Sequence, residues 1–131
     1  LKHAPSGFLS TIKRKVTATC GIVIDVSASK LKASQYNHVS DTYEKASLSD
    51  REKIIDGYIV QRDCYSSFII FYATDENEPD REGCLNGFAK FLICQDKLIE
   101  EMIHDNFSNP NFGTKLINIK KQQLREEPAA A

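Results

Sequence analysis

Seven residues limit the fold more than any others: Ile54-Ile55-Asp56-Gly57-Tyr58-Ile59-Val60. Apolar β-formers flank Asp-Gly on both sides. That dipeptide suits the two consecutive positive-φ positions of a primed two-residue turn. The stretch therefore predicts a β-hairpin. Gln61-Arg62-Asp63-Cys64-Tyr65-Ser66-Ser67-Phe68 follows without a break. Phe68, Ile69, Phe71 and Tyr72 recur as a helix would need, predicting one from about Cys64 to Ala73. Asp63 falls where strand or loop turns into helix.

The chain has 131 residues, 41% of them hydrophobic, enough for one folded domain with a single core. The net charge of −1 gives no global basic field. Its distribution is uneven: residues 1–62 carry ten Lys/Arg against six Asp/Glu, and residues 63–131 carry seven against twelve. Either the first half meets a polyanion or this is ordinary surface charge. The four cysteines, Cys20, Cys64, Cys84 and Cys94, form no Cys-x-x-Cys pair and so no zinc-finger spacing. Cys84 and Cys94 lie within an apolar helical pattern and read as small core residues. No signal-peptide pattern and no apolar run long enough to cross a bilayer is present. No membrane partner and a reducing, cytoplasmic setting are therefore expected. The chain starts at Leu1 and ends in three alanines; it reads as a fragment with an appended scar.

Along the chain, Phe8, Leu9, Ile12 and Val16 predict a helix from Pro5 to about Ala18, with Gly21 as its stop. Lys13, Arg14 and Lys15 form a basic cluster on it. Ile22 to Val26 reads as a buried strand, and Ser27 to Gln35 as a polar loop carrying Lys30 and Lys32. Tyr36 to Ser49 lacks periodicity and reads as an extended finger or long loop. After the hairpin and its helix come an acidic linker, 75–78, and a longer helix from Pro79 to about Asp105. Leu85, Phe88, Leu92, Ile99 and Met102 or Ile103 mark one face of that helix, which reads as core or docking face. Residues 106–113 read as a turn-rich break, and the tail from Lys120 as frayed.

Several short stretches, taken in order, resemble the C-terminal part of TnpB-type (insertion-sequence OrfB) proteins. These are RuvC-like, RNA-guided DNA endonucleases of transposon origin, related to type V CRISPR effectors. Ala4-Pro5, Phe8-Leu9 and Ile12-Lys13-Arg14-Lys15 resemble the helix before the last part of the RuvC core. Gly21 to Val26 resembles the strand after it. Ser29 to His38 resembles the entry to the family's zinc-ribbon insertion. Asp56-Gly57 with Val60 to Phe68 resembles the exit, which carries the third catalytic aspartate. The resemblance covers residues 3–73 and fades beyond. It implies an α/β (α+β) fragment of an RNase H-like RuvC domain with an inserted metal-free finger and C-terminal helices. The corresponding division is 1–35 for the RuvC-like helix and strand, 36–60 for the degenerate ribbon, 61–73 for the last RuvC-like motif and 74–131 for the helical tail. The finger segment Tyr36–Val60 contains no cysteine, so no zinc is expected, and His38 as a lone ligand is improbable. The family's first aspartate and its glutamate have no counterpart in this chain.

RuvC-like phosphodiester hydrolysis uses converging carboxylates on two divalent metals, and magnesium suits such oxygen ligands. The resemblance implies that Asp63 is one such ligand and catalytic in the parent. An N-cap role is the alternative. The parent's partners would be DNA, guide RNA and its own N-terminal part, with magnesium as cofactor. Lys13, Arg14, Lys15, Lys30, Lys32 and Arg62 are candidate phosphate contacts, or solvated surface charge. Ser34 and Gln35 are candidates to bond a nucleic-acid backbone, or turn formers. Tyr36, Tyr43 and Tyr58 are candidate stacking platforms, although Tyr58 fits cross-strand packing better. Asp25, in Gly21 to Ser27, superficially resembles a first-strand metal ligand that could pair with Asp63; the flanking matches favour the other register. The competing function is a small non-enzymatic α/β protein-interaction module.

Overall fold

The computed structural model describes residues 4–106 and 112–127. Among the described residues the chain is mixed α and β, with five helices and two separate two-stranded antiparallel sheets. Helix α1 spans Ala4–Ala18 and is followed by the four-residue helix α2, Ala28–Leu31. Strands β1 (Tyr36–Asn37) and β2 (Thr42–Tyr43) form a small finger. Strands β3 (Glu52–Ile55) and β4 (Tyr58–Gln61) form the main hairpin. Helices α3 (Arg62–Phe71), α4 (Arg81–His104) and α5 (Thr114–Glu126) complete the order.

The hairpin closes as expected. Ile55 pairs with Tyr58 across Asp56–Gly57, and these two residues have φ of +50° and +78°. The pleat sets Ile55 and Val60 on the inner face, where both are fully buried, and Ile54 on the outer face, where it is exposed. Tyr58 shares the inner face beside the turn, half-exposed and edge-on to Phe88. A lone two-stranded sheet is marginal in water. This one is backed by helices: Ile55 and Val60 join Tyr65, Phe68 and Ile69 of α3 and Cys84 and Phe88 of α4 in one core. The finger side supplies Leu31, Ala33 and Tyr36 to the same cluster.

Helix α3 starts two residues before the expected position because Gln61 caps it. The Gln61 side chain accepts the Cys64 amide at 2.7 Å. Helix α4 starts at Arg81 rather than Pro79, capped by Asp80, whose carboxylate accepts the Gly83 amide at 3.1 Å. Its buried face is Cys84, Phe88, Gln95, Ile99 and Met102. Leu85, expected on that face, is exposed. Gly87 lets Tyr72 lie against α4: a Cβ there would collide with the phenol ring. Cys94 is exposed, so only Cys84 of the expected pair is a core residue.

Three further expectations are corrected. Among the described residues Ile22–Val26 forms no strand and pairs with none, and Ile22 is 86% exposed. The polar loop over 27–35 contains α2, with Lys32 as its left-handed C-cap at φ +48°. The tail is helical as α5, seated by Leu116 and Lys120. The break expected over 106–113 lies largely outside the described residues, as do the terminal alanines. No described helix is long and apolar enough to cross a membrane.

Candidate nucleic-acid interface

The hairpin register and the Gln61 cap together fix where Asp63 sits. Gln61 is itself held from α4: Gln95 Oε1 accepts the Gln61 amide at 2.8 Å, and Gln95 Nε2 donates to the Ile59 carbonyl at 3.2 Å. Both glutamines are buried. A chain of hydrogen bonds thus ties the middle of α4 to the first turn of α3. Gln61 Nε2 extends it by donating to Asp63 Oδ2 at 3.4 Å. Since Gln61 fills the cap position, Asp63 is not the N-cap. It stands in the first turn, where a carboxylate is favoured by the helix dipole.

The Asp63 side chain is 67% exposed and lies 3.6 Å from Arg62 Nε. It borders an open cleft of about 360 Å³ lined by Ser34, Gln35, Lys45, Arg62 and Asp63, with Ala46 and Leu48. The cleft brings together four of the residues singled out from sequence: Ser34, Gln35, Arg62 and Asp63. Arg62 is mostly engaged in building the wall. Its guanidinium donates to the carbonyls of Ser47 and Leu48 at 3.2 and 3.3 Å, and its own amide bonds the Arg51 carbonyl at 2.9 Å. Lys53 anchors the opposite wall by donating to the carbonyls of Ser34 and Tyr36 at 3.2 and 3.4 Å.

The remaining candidates are elsewhere. Lys13 pairs with Asp25 at 2.7 Å on the exposed N-terminal arm, while Arg14 and Lys15 are solvent-facing on α1. Lys30 is exposed on α2, and Lys32 lines a second cleft of about 630 Å³ with Ile24, Asp25, Leu31 and Ile70. Ser34 and Gln35 line both clefts; Asp25 and Asp63 do not share one. Of the tyrosines, Tyr36 is buried and donates to Asp41 at 2.9 Å, which removes it as a stacking platform. Burial and the Asp41 carboxylate push its phenol far above the usual value. Tyr43 and Tyr58 remain exposed, Tyr58 with its ring edge-on to Phe88.

Magnesium, which the resemblance implies, needs several oxygen ligands. Among the described residues no three His, Cys, Asp or Glu side chains converge. Asp63 instead faces a guanidinium and an amide. This donor set alone does not fit the metal. Burial and then the neighbouring Asp63 carboxylate push the Cys64 thiol up, which disfavours its thiolate.

Lys45 and the Gln61–Gln95 pair are absent from the sequence reading. Lys45 lies in a stretch without periodicity, and nothing in composition marks a glutamine as buried. Comparison with family models, with curated proteins and with solved structures found no match.

Proposed function

We propose that the chain is the C-terminal portion of an RNA-guided, RuvC-like DNA endonuclease of the TnpB type, and that its Asp63 cleft meets a nucleic-acid strand. The observation that carries this reading is the meeting of Asp63 with Ser34, Gln35, Arg62 and Lys45 around one open cleft. These residues come from two separated stretches that the family resemblance singles out, save Lys45. Lys45 offers a cation to phosphate, and Ser34 and Gln35 offer hydrogen-bonding groups to the sugar–phosphate backbone. Arg14, Lys15, Lys30 and Lys32 lie outside this cleft and are further exposed cations open to phosphate. Asp63 is then one carboxylate of a magnesium site whose other ligands lie in a preceding part of the parent. This portion alone binds and does not cut.

The test is fluorescence anisotropy with single-stranded DNA and RNA across a salt series. Binding is expected to weaken linearly with log salt, and replacing Lys45 with alanine to reduce the slope by about 0.7. Absence of binding at low salt overturns the reading. Metal-dependent cleavage by this chain alone, abolished by Asp63→Ala, overturns the incomplete site.

A non-enzymatic interaction module is the second reading, favoured by the exposed Phe8, Leu9, Ile22 and Ile24. It predicts partner binding that is insensitive to salt.

A further inference from the structure

The least expected core residue is His38. It is fully buried, in a finger segment with no apolar pattern. Its backbone N–H donates to the Tyr65 hydroxyl at 3.2 Å, and its Nδ1 lies 2.8 Å from the same oxygen. A hydroxyl that accepts the amide has one proton to give, and Nδ1 is the acceptor within reach. That places the imidazole proton on Nε2 and makes the ring neutral. Nε2 has no hydrogen-bond partner among the described residues. The ring is instead met edge-on by Phe88 at 4.7 Å and Phe68 at 5.7 Å between centroids.

The charges around this ring oppose a second proton. From α4, Arg81 donates to the carbonyls of His38 and Val39 at 3.0 and 2.9 Å, placing a guanidinium beside the finger. From β3, Lys53 lies over the Tyr65 ring at 5.1 Å. Among the described residues the carboxylate acting on His38 is Asp56, at the hairpin turn. Asp41 is engaged by the Tyr36 hydroxyl, Glu44 acts on Lys53 and Tyr65, and Asp80 acts on the buried Cys84 thiol. Burial, then Arg81, hold the imidazole below its ordinary range.

We propose that His38 is a proton-operated latch that holds the β1–β2 finger against α3 and α4. The neutral ring closes it; protonation releases it. An imidazolium in the same seat would present an Nδ1–H to the Tyr65 hydroxyl and force that hydroxyl's proton into apolar surroundings. Its charge would lie among aromatic rings beside a guanidinium, a site that a charge leaves rather than occupies. Displacing the ring disturbs the backbone bonds that Tyr65 and Arg81 make to the finger at the same point, and the finger opens with it. Lys45, on the continuation of β2, moves too, so acid remodels one wall of the Asp63 cleft. The latch is independent of whether that cleft belongs to a nuclease.

The sign follows from linkage. A histidine held below its unfolded value stabilises the closed finger fully above about pH 6.5 and progressively less below it. The closed-to-open ratio falls by up to about tenfold per pH unit until the depressed folded value is passed.

Amide hydrogen exchange of the full chain from pH 7.5 to 5, corrected for intrinsic rates, reads this directly. The His38 and Val39 amides are expected to lose protection below pH 6.5 while those of β3 and β4 keep it. His38→Gln should abolish that pH dependence. If His38→Gln does not fold, Tyr65→Phe carries the test: without the hydroxyl the folded imidazole protonates more readily, and the pH-dependent window narrows. Histidine NMR showing an imidazolium at position 38 with the finger amides still protected overturns the latch. So does finger opening that is the same at pH 7.5 and pH 5.

Discussion

Residues 7–27 and residues 31–72 are both supplied with isoleucine, valine and phenylalanine, yet only the second contains fully buried apolar side chains. In the second region, Leu31, Ile55, Val60 and Ile69 are completely buried. In the first, Phe8 is 67% exposed and Ile24 54% exposed. The difference is topological. The hairpin carries its own partner strand two residues away and delivers its inner face directly onto α3. Among the described residues the arm Ile22–Val26 has no strand beside it, so its β-branched side chains have no sheet to join. Local apolar content makes burial possible; a partner within reach makes it happen.

This contrast is open to attack by substitution. Ile55→Ala should cost about 2–5 kcal/mol, the range for emptying a closed core site, measured as a shift in the urea midpoint at constant slope. A small effect would mean that the hairpin is not packed as described. Gln95→Ala should cost about 1–3 kcal/mol, because two backbone groups of β4, the Gln61 amide and the Ile59 carbonyl, lose their partner. Thermal unfolding would register the loss. Glu52→Ala should remove about 1 kcal/mol. Its carboxylate accepts the amides of Lys115 and Leu116 at 2.9 and 3.3 Å, replacing a side-chain cap on α5. Circular dichroism should then show reduced helix from α5. Ile22→Ala should change stability by less than about 0.5 kcal/mol, as at an ordinary surface position. A loss comparable to that of Ile55→Ala would erase the distinction between the regions.

The hairpin and the helices α1, α3 and α4 were legible because each advertises itself within a short window. Asp56–Gly57 specifies its own turn, and the helices have apolar spacing. A β-branched run looks the same whether or not a neighbour strand exists, so nothing in the arm itself reveals that it stays unpaired. The finger itself is legible in the stretch from Tyr36 to Ser49, but its part in the core is not: its core contributions are Tyr36 and His38, which hydrophobic periodicity does not count. Gln61, Gln95 and Lys120 follow the same pattern, being buried polar residues satisfied by specific partners. Lys120, for example, meets Asp96 and Glu100 at 2.9 and 2.8 Å, giving α5 a charged seat on α4 where the tail was expected to fray. Of the cleft, Asp63, Arg62, Ser34 and Gln35 were named from sequence. Lys45 and the buried glutamine tie depended on long-range pairing.

The arm at Ile22–Val26 has a practical consequence for purified material. Ile22, Val23 and Ile24 are exposed and pair with no strand among the described residues, which leaves a β-branched run open to intermolecular strand addition. Light scattering should therefore grow with protein concentration and diminish when Ile24 is replaced by lysine.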